Sequence, residues 1–362
     1  MRFRITEEMV VAATLGGAVY GGGGGAEIDG GLVLGRLAVR IGQPELITID
    51  ELPDDAILVT ASLVGSQASG QALLPVHLLK ALEILSDAIG KPVSGITTNE
   101  CGGSATVNGW FQAAVAGVPV VDAPCNGRAH PTGVMGSIGL HKRRDYVSVQ
   151  AAVGGDHASG TYLEMVVRGS LERASTMVRQ ASVECGGLVA VARNPVEVRY
   201  VKKHAAIGAI SRCIELGRAM IEARDSGRSP ADAVTAFTGG RVIAKGEVTQ
   251  VEIRTGGGFD VGSVIVRDAA SDEDVELTFW NEYICAERGS RRLFTFPDLI
   301  SVLRTADGTP LTTAHTEKGE SVTVIGVPRQ SLILGAGMRD PELMRPIEIA
   351  TGKEVVRYML GS

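Results

Sequence analysis

The 362-residue chain holds 44% hydrophobic and 21% charged residues, the balance of an ordinary globular protein. Its length exceeds the roughly 250–300 residues at which one core stops growing, so two domains are expected. A net charge of -6 with dispersed basic residues, and only 4% aromatic residues, exclude a phosphate-tracking or base-stacking surface, so nucleic acid is not an expected partner.

No apolar run reaches the roughly 18–20 residues needed to cross a bilayer, and the start, with Arg2, Arg4, Glu7 and Glu8, has no signal-peptide core. A cytoplasmic protein without membrane contact is expected. Cys101, Cys125, Cys185, Cys213 and Cys285 are odd in number and widely spaced, which suits reduced thiols better than a disulfide framework or a zinc site. The 47 glycines cluster at turns without a fixed period.

In chain order, residues 6–20 have helical spacing, with Thr6 placed to cap and Glu7 and Glu8 at the positive end of the dipole. The run Gly21 to Gly25 joins this helix to a second at residues 26–41, which Gly30, Gly31 and Gly35 weaken. Strand-like runs at 46–49 and 57–61 precede a helix at 75–89 that Gly90 and Pro92 end. A strand at 93–97, a helix at 106–116 and a strand at 119–123 continue the alternation, which implies an α/β fold. Further strands are expected at 147–152 and 188–192, and helices at 162–181 and 198–224. Beyond Thr238 the runs 241–254, 261–267, 275–280 and 321–327 read as strands of a small barrel or sandwich, with one helix at 297–303. The expected division is residues 1–237, 238–330 and a tail, 331–362, that runs back onto the first domain.

Three segments could carry chemistry. Gly22, Gly23, Gly24 and Gly25 allow positive φ and precede a helix whose free amides suit a carboxylate or phosphate; a plain turn between helices fits as well. No P-loop lysine is present and the run follows a helix, so nucleotide binding is disfavoured. The segment Asn99-Glu100-Cys101-Gly102-Gly103-Ser104 leaves a strand and enters a helix, where open α/β sheets bind ligands. It delivers Glu100 and the Gly102 and Gly103 amides to a crevice, unless Glu100 and Ser104 only complete helix capping.

The loop from Asp122 to Pro131 gathers acid, thiol, amide, guanidinium and imidazole within ten positions. Arg128 can hold a carboxylate, His130 or Asp122 can exchange protons, and Asn108 or Asn126 can donate to developing charge. Duller roles exist: His130 closing a turn before Pro131, Asp122 capping, Cys125 as a small buried residue and not a nucleophile. The convergence of five groups favours the functional role. Asp156 and His157 could relay protons or bind a divalent metal, although no third ligand is evident and no cofactor is indicated.

At these residues the chain resembles the S-methyl thiohydantoin desulfurase-like family, associated with hydantoinase-type proteins. The likeness spans nearly the whole chain: Gly21 to Gly25, Glu100-Cys101-Gly102-Gly103, Pro119-Val120-Val121-Asp122, Gly127-Arg128-Ala129, Trp280-Asn281-Glu282-Tyr283 and Phe296-Pro297-Asp298-Leu299-Ile300. It implies a three-layer α/β domain joined to a β-barrel domain. It further implies a hydrolase of a small heterocyclic carboxylic acid, the family example being cleavage of S-methyl thiohydantoin to a hydantoin and a thiol. In that scheme Glu100 or Asp122 is the base, Arg128 anchors the substrate carboxylate, His130 protonates the leaving group, and Asn108 with the glycine amides steadies ring charge. The chain departs from the family pattern at His130, where an aromatic is usual, at Thr132, where an acid is usual, and in the neutral stretch 65–69. The missing acid motivates a second expectation, a non-catalytic ligand-binding or accessory subunit of a hydantoinase-like complex. Covalent chemistry through Cys125 is a third, and a homo-oligomer is the expected assembly.

Overall fold

The computed structural model describes residues 1–25, 27–66 and 73–361. The first part of the chain runs β1 (Arg2–Arg4), α1 (Glu7–Gly21), α2 (Ile28–Gly42), β2 (Glu45–Ile47), β3 (Ile57–Gly65), α3 (Pro75–Ile89), β4 (Gly95–Thr98), α4 (Gly103–Val107), α5 (Trp110–Ala116) and β5 (Val120–Val121). It continues through β6 (Ser148–Gly154), β7 (Leu163–Gly169), α6 (Leu171–Glu184), β8 (Leu188–Glu197), α7 (Val198–His204), α8 (Ala209–Asp225) and α9 (Pro230–Thr238). Its eight strands form one mixed sheet in the order β1-β2-β5-β4-β3-β8-β6-β7. The inner strands β2, β5, β4 and β3 are parallel, and β1, β8, β6 and β7 pair antiparallel around them.

Strand β6 is buried along its whole length, so both of its faces are covered. Val149, Ala151 and Val153 pack with Leu78, Leu82 and Leu85 of α3, whereas Ala152 packs with Val178 and Ala181 of α6. Alternate residues of one strand therefore serve helices on opposite faces.

The second part runs β9 (Arg241–Gly256), β10 (Phe259–Asp268), β11 (Glu273–Trp280), β12 (Glu282–Arg288), β13 (Arg291–Thr295), β14 (Leu299–Arg304), β15 (Pro310–Leu311) and β16 (Ser321–Val327), followed by α10 (Arg345–Thr351) and α11 (Val356–Leu360). Its strands form one antiparallel sheet in the order β13-β12-β11-β10-β9-β16-β14-β15. Strands β13 and β15 are its two edges, and no pairing among the described residues closes it into the expected barrel. The tail reaches back to the first part. Gly127 donates to the Ile333 carbonyl at 3.1 Å, the Gly335 amide to Asn126 Oδ1 at 3.2 Å, and Asp340 pairs with His141 at 2.9 Å.

Several expected elements divide or change type. Residues 162–181 are strand β7 and helix α6, joined at Ser170, whose hydroxyl caps the Arg173 amide. The alternation of burial from Leu163 to Gly169 is the period of an edge strand. The helix expected at 106–116 breaks at Gly109, where φ is +95°. The one at 198–224 breaks between His204 and Ala209, and the helix expected at 297–303 is strand β14. The isolated apolar run from Leu299 to Leu303 suits either period, and pairing with β16 decides it.

Candidate functional site

The two loops singled out in the sequence leave adjacent parallel strands. Beyond β4 and β5 the ladder continues, with Cys125 N to Thr98 O at 3.0 Å, Asn126 N to Asn99 O at 3.1 Å and Cys101 N to Asn126 O at 3.1 Å. They thus open at the carboxyl ends of the strands, where α/β sheets form crevices. A cleft of about 700 Å³ lies there, walled by Glu100 and Asn99, by Ser62 to Gly65 of β3, by residues 130–133, by Arg179 and Arg193, and by Asn281 and Glu282 of the second sheet. Five of these residues, Ser62, Asn99, His130, Arg193 and Glu282, carry a buried polar atom without a hydrogen-bond partner. A larger cleft of about 1130 Å³ beside α1 and α2 has no such atom among its described residues, and its His315 already pairs with Glu27 at 3.2 Å. Unsatisfied buried polar groups mark a place built to receive a polar guest, so the first cleft is the candidate site.

Glu100 Oε2 accepts the His130 amide at 3.2 Å and Asn99 Nδ2 at 3.3 Å, and lies 3.3 Å from His130 Nε2. Burial raises its pKa from 4.5 to about 7, overcoming the lowering by the His130 amide, Arg193, Asn99 and Arg128. The His130 side chain is 1% exposed. Burial, assisted by the positive charge of Arg193, pushes its imidazole down to about 3. A neutral His130 has no extra proton to give at pH 7, which departs from the leaving-group acid expected from the sequence. Together the pair makes a carboxyl that titrates near neutrality beside an uncharged imidazole.

Three further wall residues carry charge that the sequence did not reveal as part of a site. Glu282 enters from β12, is fully buried, and has its carboxyl pushed well up by burial and by the Glu100 charge. Arg179 of α6 donates to the carbonyls of Gly65 (3.3 Å), Gly258 (2.8 Å) and Pro131 (3.3 Å) and lies 4.2 Å over the Phe259 ring. Arg193 of β8 is 2% exposed with Nε unpartnered. The available signal was an arginine ending the strand-like run from Leu188, and a glutamate inside the Trp280 to Tyr283 stretch.

Other residues named from the sequence lie elsewhere. Asp122 does not face the cleft; its oxygens accept the Ile210 (2.8 Å) and Ser211 (3.2 Å) amides and so satisfy the first turn of α8. Cys125 is buried against Thr60 Oγ1 at 3.5 Å, and burial pushes its thiol up to about 11, which removes thiolate character. Asn126 bridges the Met135 carbonyl (3.0 Å) and the Gly335 amide. Arg128, fully buried, is a bracket between the two sheets: it donates to the carbonyls of Ala129 (3.1 Å), Pro297 (3.3 Å) and Asp298, and lies 4.5 Å over the Phe296 ring.

The glycine run serves the same junction. The Gly22 carbonyl accepts the Tyr283 amide and the Gly23 carbonyl the Thr313 amide. A Cβ on Gly24 would fall 2.1 Å from Glu282 Oε1, and one on Gly25 2.6 Å from the Gly102 Cα. Gly25 and Asn108 line the cleft; Gly22, Gly23, Gly102 and Gly103 do not. Asp156 and His157 sit in an exposed turn between β6 and β7, where Asp156 accepts the Ala158 and Ser159 amides and His157 stacks on Tyr162 at 3.8 Å. Among the described residues no three His, Cys, Asp or Glu side chains converge as a metal-ligand set.

The fold and cleft define a two-domain α/β protein with a buried, charged site between its sheets. The chain belongs to the S-Me-THD-like family: residues 9–159 match the model of its N-terminal domain and residues 170–336 that of its C-terminal domain. The division between these models falls inside the first sheet, at the β6–β7 hairpin. A crystal structure of a protein from Chromobacterium violaceum aligns over 99% of this chain and 98% of that one, with a TM-score of 0.71 and 19% identity, a likeness of fold. No curated protein matches the chain. No helix among the described residues is long and apolar enough to cross a membrane.

Proposed function

We propose that the chain hydrolyses a small heterocycle of the S-methyl thiohydantoin or hydantoin type, with Glu100 moving the protons. The observation that carries this is a cleft carboxyl raised to about 7, where it is an effective base and, once protonated, an effective acid. Glu100 takes a proton from water as the oxygen attacks the ring carbon that bears sulfur. The adjacent ring nitrogen gains a proton, the C–S bond breaks, and methanethiol leaves with the second proton, so one water yields a ring carbonyl and a thiol. Neutral His130, 3.3 Å away, relays the proton, and protonated Glu282 donates a hydrogen bond to the ring from the opposite wall.

Thiol release from an S-methyl thiohydantoin, followed with a chromogenic thiol reagent, tests this. Wild type should turn over without added partners, and Glu100→Gln should lose about 10²–10⁴-fold, the usual worth of general acid–base catalysis. Full activity in Glu100→Gln ends the assignment. Binding without turnover across a panel of hydantoins and S-methyl thiohydantoins would support a non-catalytic ligand-binding subunit instead.

A further inference from the structure

The alternation of β8 carries an anomaly. Val189 and Val191 face α6 in one apolar cluster, and the next position on that face is Arg193. Arg193 pairs across with Thr60 of β3 and Gln150 of β6, in the interior of the sheet. Directly after it β8 bulges: Asn194 and Pro195 oppose the single residue Val59, and Asn194 has φ +54°. Bulges of this kind re-aim a neighbouring side chain.

The other two arginines nearby are held by the backbone. Arg128 and Arg179 each donate to main-chain carbonyls and lie over a phenylalanine ring, although Nη2 of Arg128 is left without a partner. Arg193 has no ion pair or hydrogen bond to its side chain among the described residues, although it is 2% exposed. It lines the Glu100 cleft and also an adjoining cleft of about 730 Å³, and Val64, Thr132, Gly133 and Arg179 are common to both. Ser62 Oγ, also buried and unpartnered, stands on the same face of β3 as Thr60. A buried guanidinium without a counter-charge is a large penalty, met in proteins where an anion completes it.

We infer that Arg193 anchors a carboxylate of the substrate, with Ser62 as a further donor, so that the cleft selects ring compounds bearing an acidic side arm. This rests on the hydrolytic reading for the identity of the ring and assigns to Arg193 the role that the sequence suggested for Arg128. A carboxylate fits better than a phosphate, because Glu100 lines the same cleft and a second negative charge would meet, among the described lining residues, no further guanidinium left without a hydrogen bond.

Calorimetry with hydantoin-5-acetate and its methyl ester, neither of which carries a leaving thiol, tests the anchor on the full chain. Wild type should bind the acid at least tenfold tighter than the ester. Arg193→Gln should weaken the acid by about a hundredfold and leave the ester unchanged, with Arg193→Lys in between. Equal binding of acid and ester by wild type, or binding of neither, overturns the proposal without recourse to a variant, as does equal weakening of both in Arg193→Gln. Discrimination by a wild type that releases no thiol from an S-methyl ring would sink the hydrolytic reading alone. Equal thiol release from acid and ester rings would sink the anchor alone.

Discussion

Glu100 Oε2 lies 3.3 Å from His130 Nε2 and accepts the amide of the same histidine at 3.2 Å. Two loops from neighbouring strands are thus tied together at the carboxyl that burial raises to about 7.

That tie has a pH signature. With Glu100 as base, kcat/KM should rise through about pH 7, and Glu100→Gln should remove the limb. The folded value lies above the ordinary 4.5, so the fold prefers the protonated form. This group therefore contributes most stability below about 4.5, loses it as pH rises to about 7, and contributes a constant penalty beyond. Urea denaturation at pH 5 and pH 8 should show Glu100→Gln gaining on wild type at the higher pH. A gain at pH 5 instead would refute the shift.

Arg193 and Arg128 should respond oppositely to removal. Arg193→Met deletes an unpaired buried charge and should raise the Tm of the ligand-free protein by a few degrees. A lower Tm would mean that the guanidinium already has a stabilising partner.

Arg128→Ala leaves the carbonyls of Ala129, Pro297 and Asp298 without their donor and should cost about 3–5 kcal/mol in urea unfolding. A loss below about 1 kcal/mol would show that the junction does not depend on it.

All five cysteines are buried, and burial raises Cys125 to about 11 and Cys285 to about 12. A thiol reagent at pH 7.5 should label none in the native protein and all five in urea. Rapid native labelling at Cys125 would restore the nucleophile that its surroundings argue against.

Much of the architecture is legible along the chain, because period and punctuation are local. Thr6 does cap α1, accepting the Met9 amide at 3.3 Å, and the change to strands begins at β9, just past α9. Where an element mixes signals the chain misleads: β7 and α6 read as one helix until Ser170 is seen to cap the second. The expected barrel depended on how edge strands meet, which no strand encodes by itself.

The site divides in the same way. Residue type and position after a strand are sequence properties, and they draw attention to Glu100 and His130 but equally to Asp122, Cys125, Asn126 and Arg128, which do not line the cleft. Whether a buried arginine is spent or free is not such a property, since Arg128 and Arg193 are chemically alike and differ in the carbonyls that folding brings to one and withholds from the other. Glu282 likewise reaches Glu100 only because Gly22 to Gly25 let the second sheet close on the first, over more than 180 intervening residues. Desolvation and pairing, which set each charge's pKa and purpose, are sums over neighbours in space, and the tertiary structure alone decides who those neighbours are.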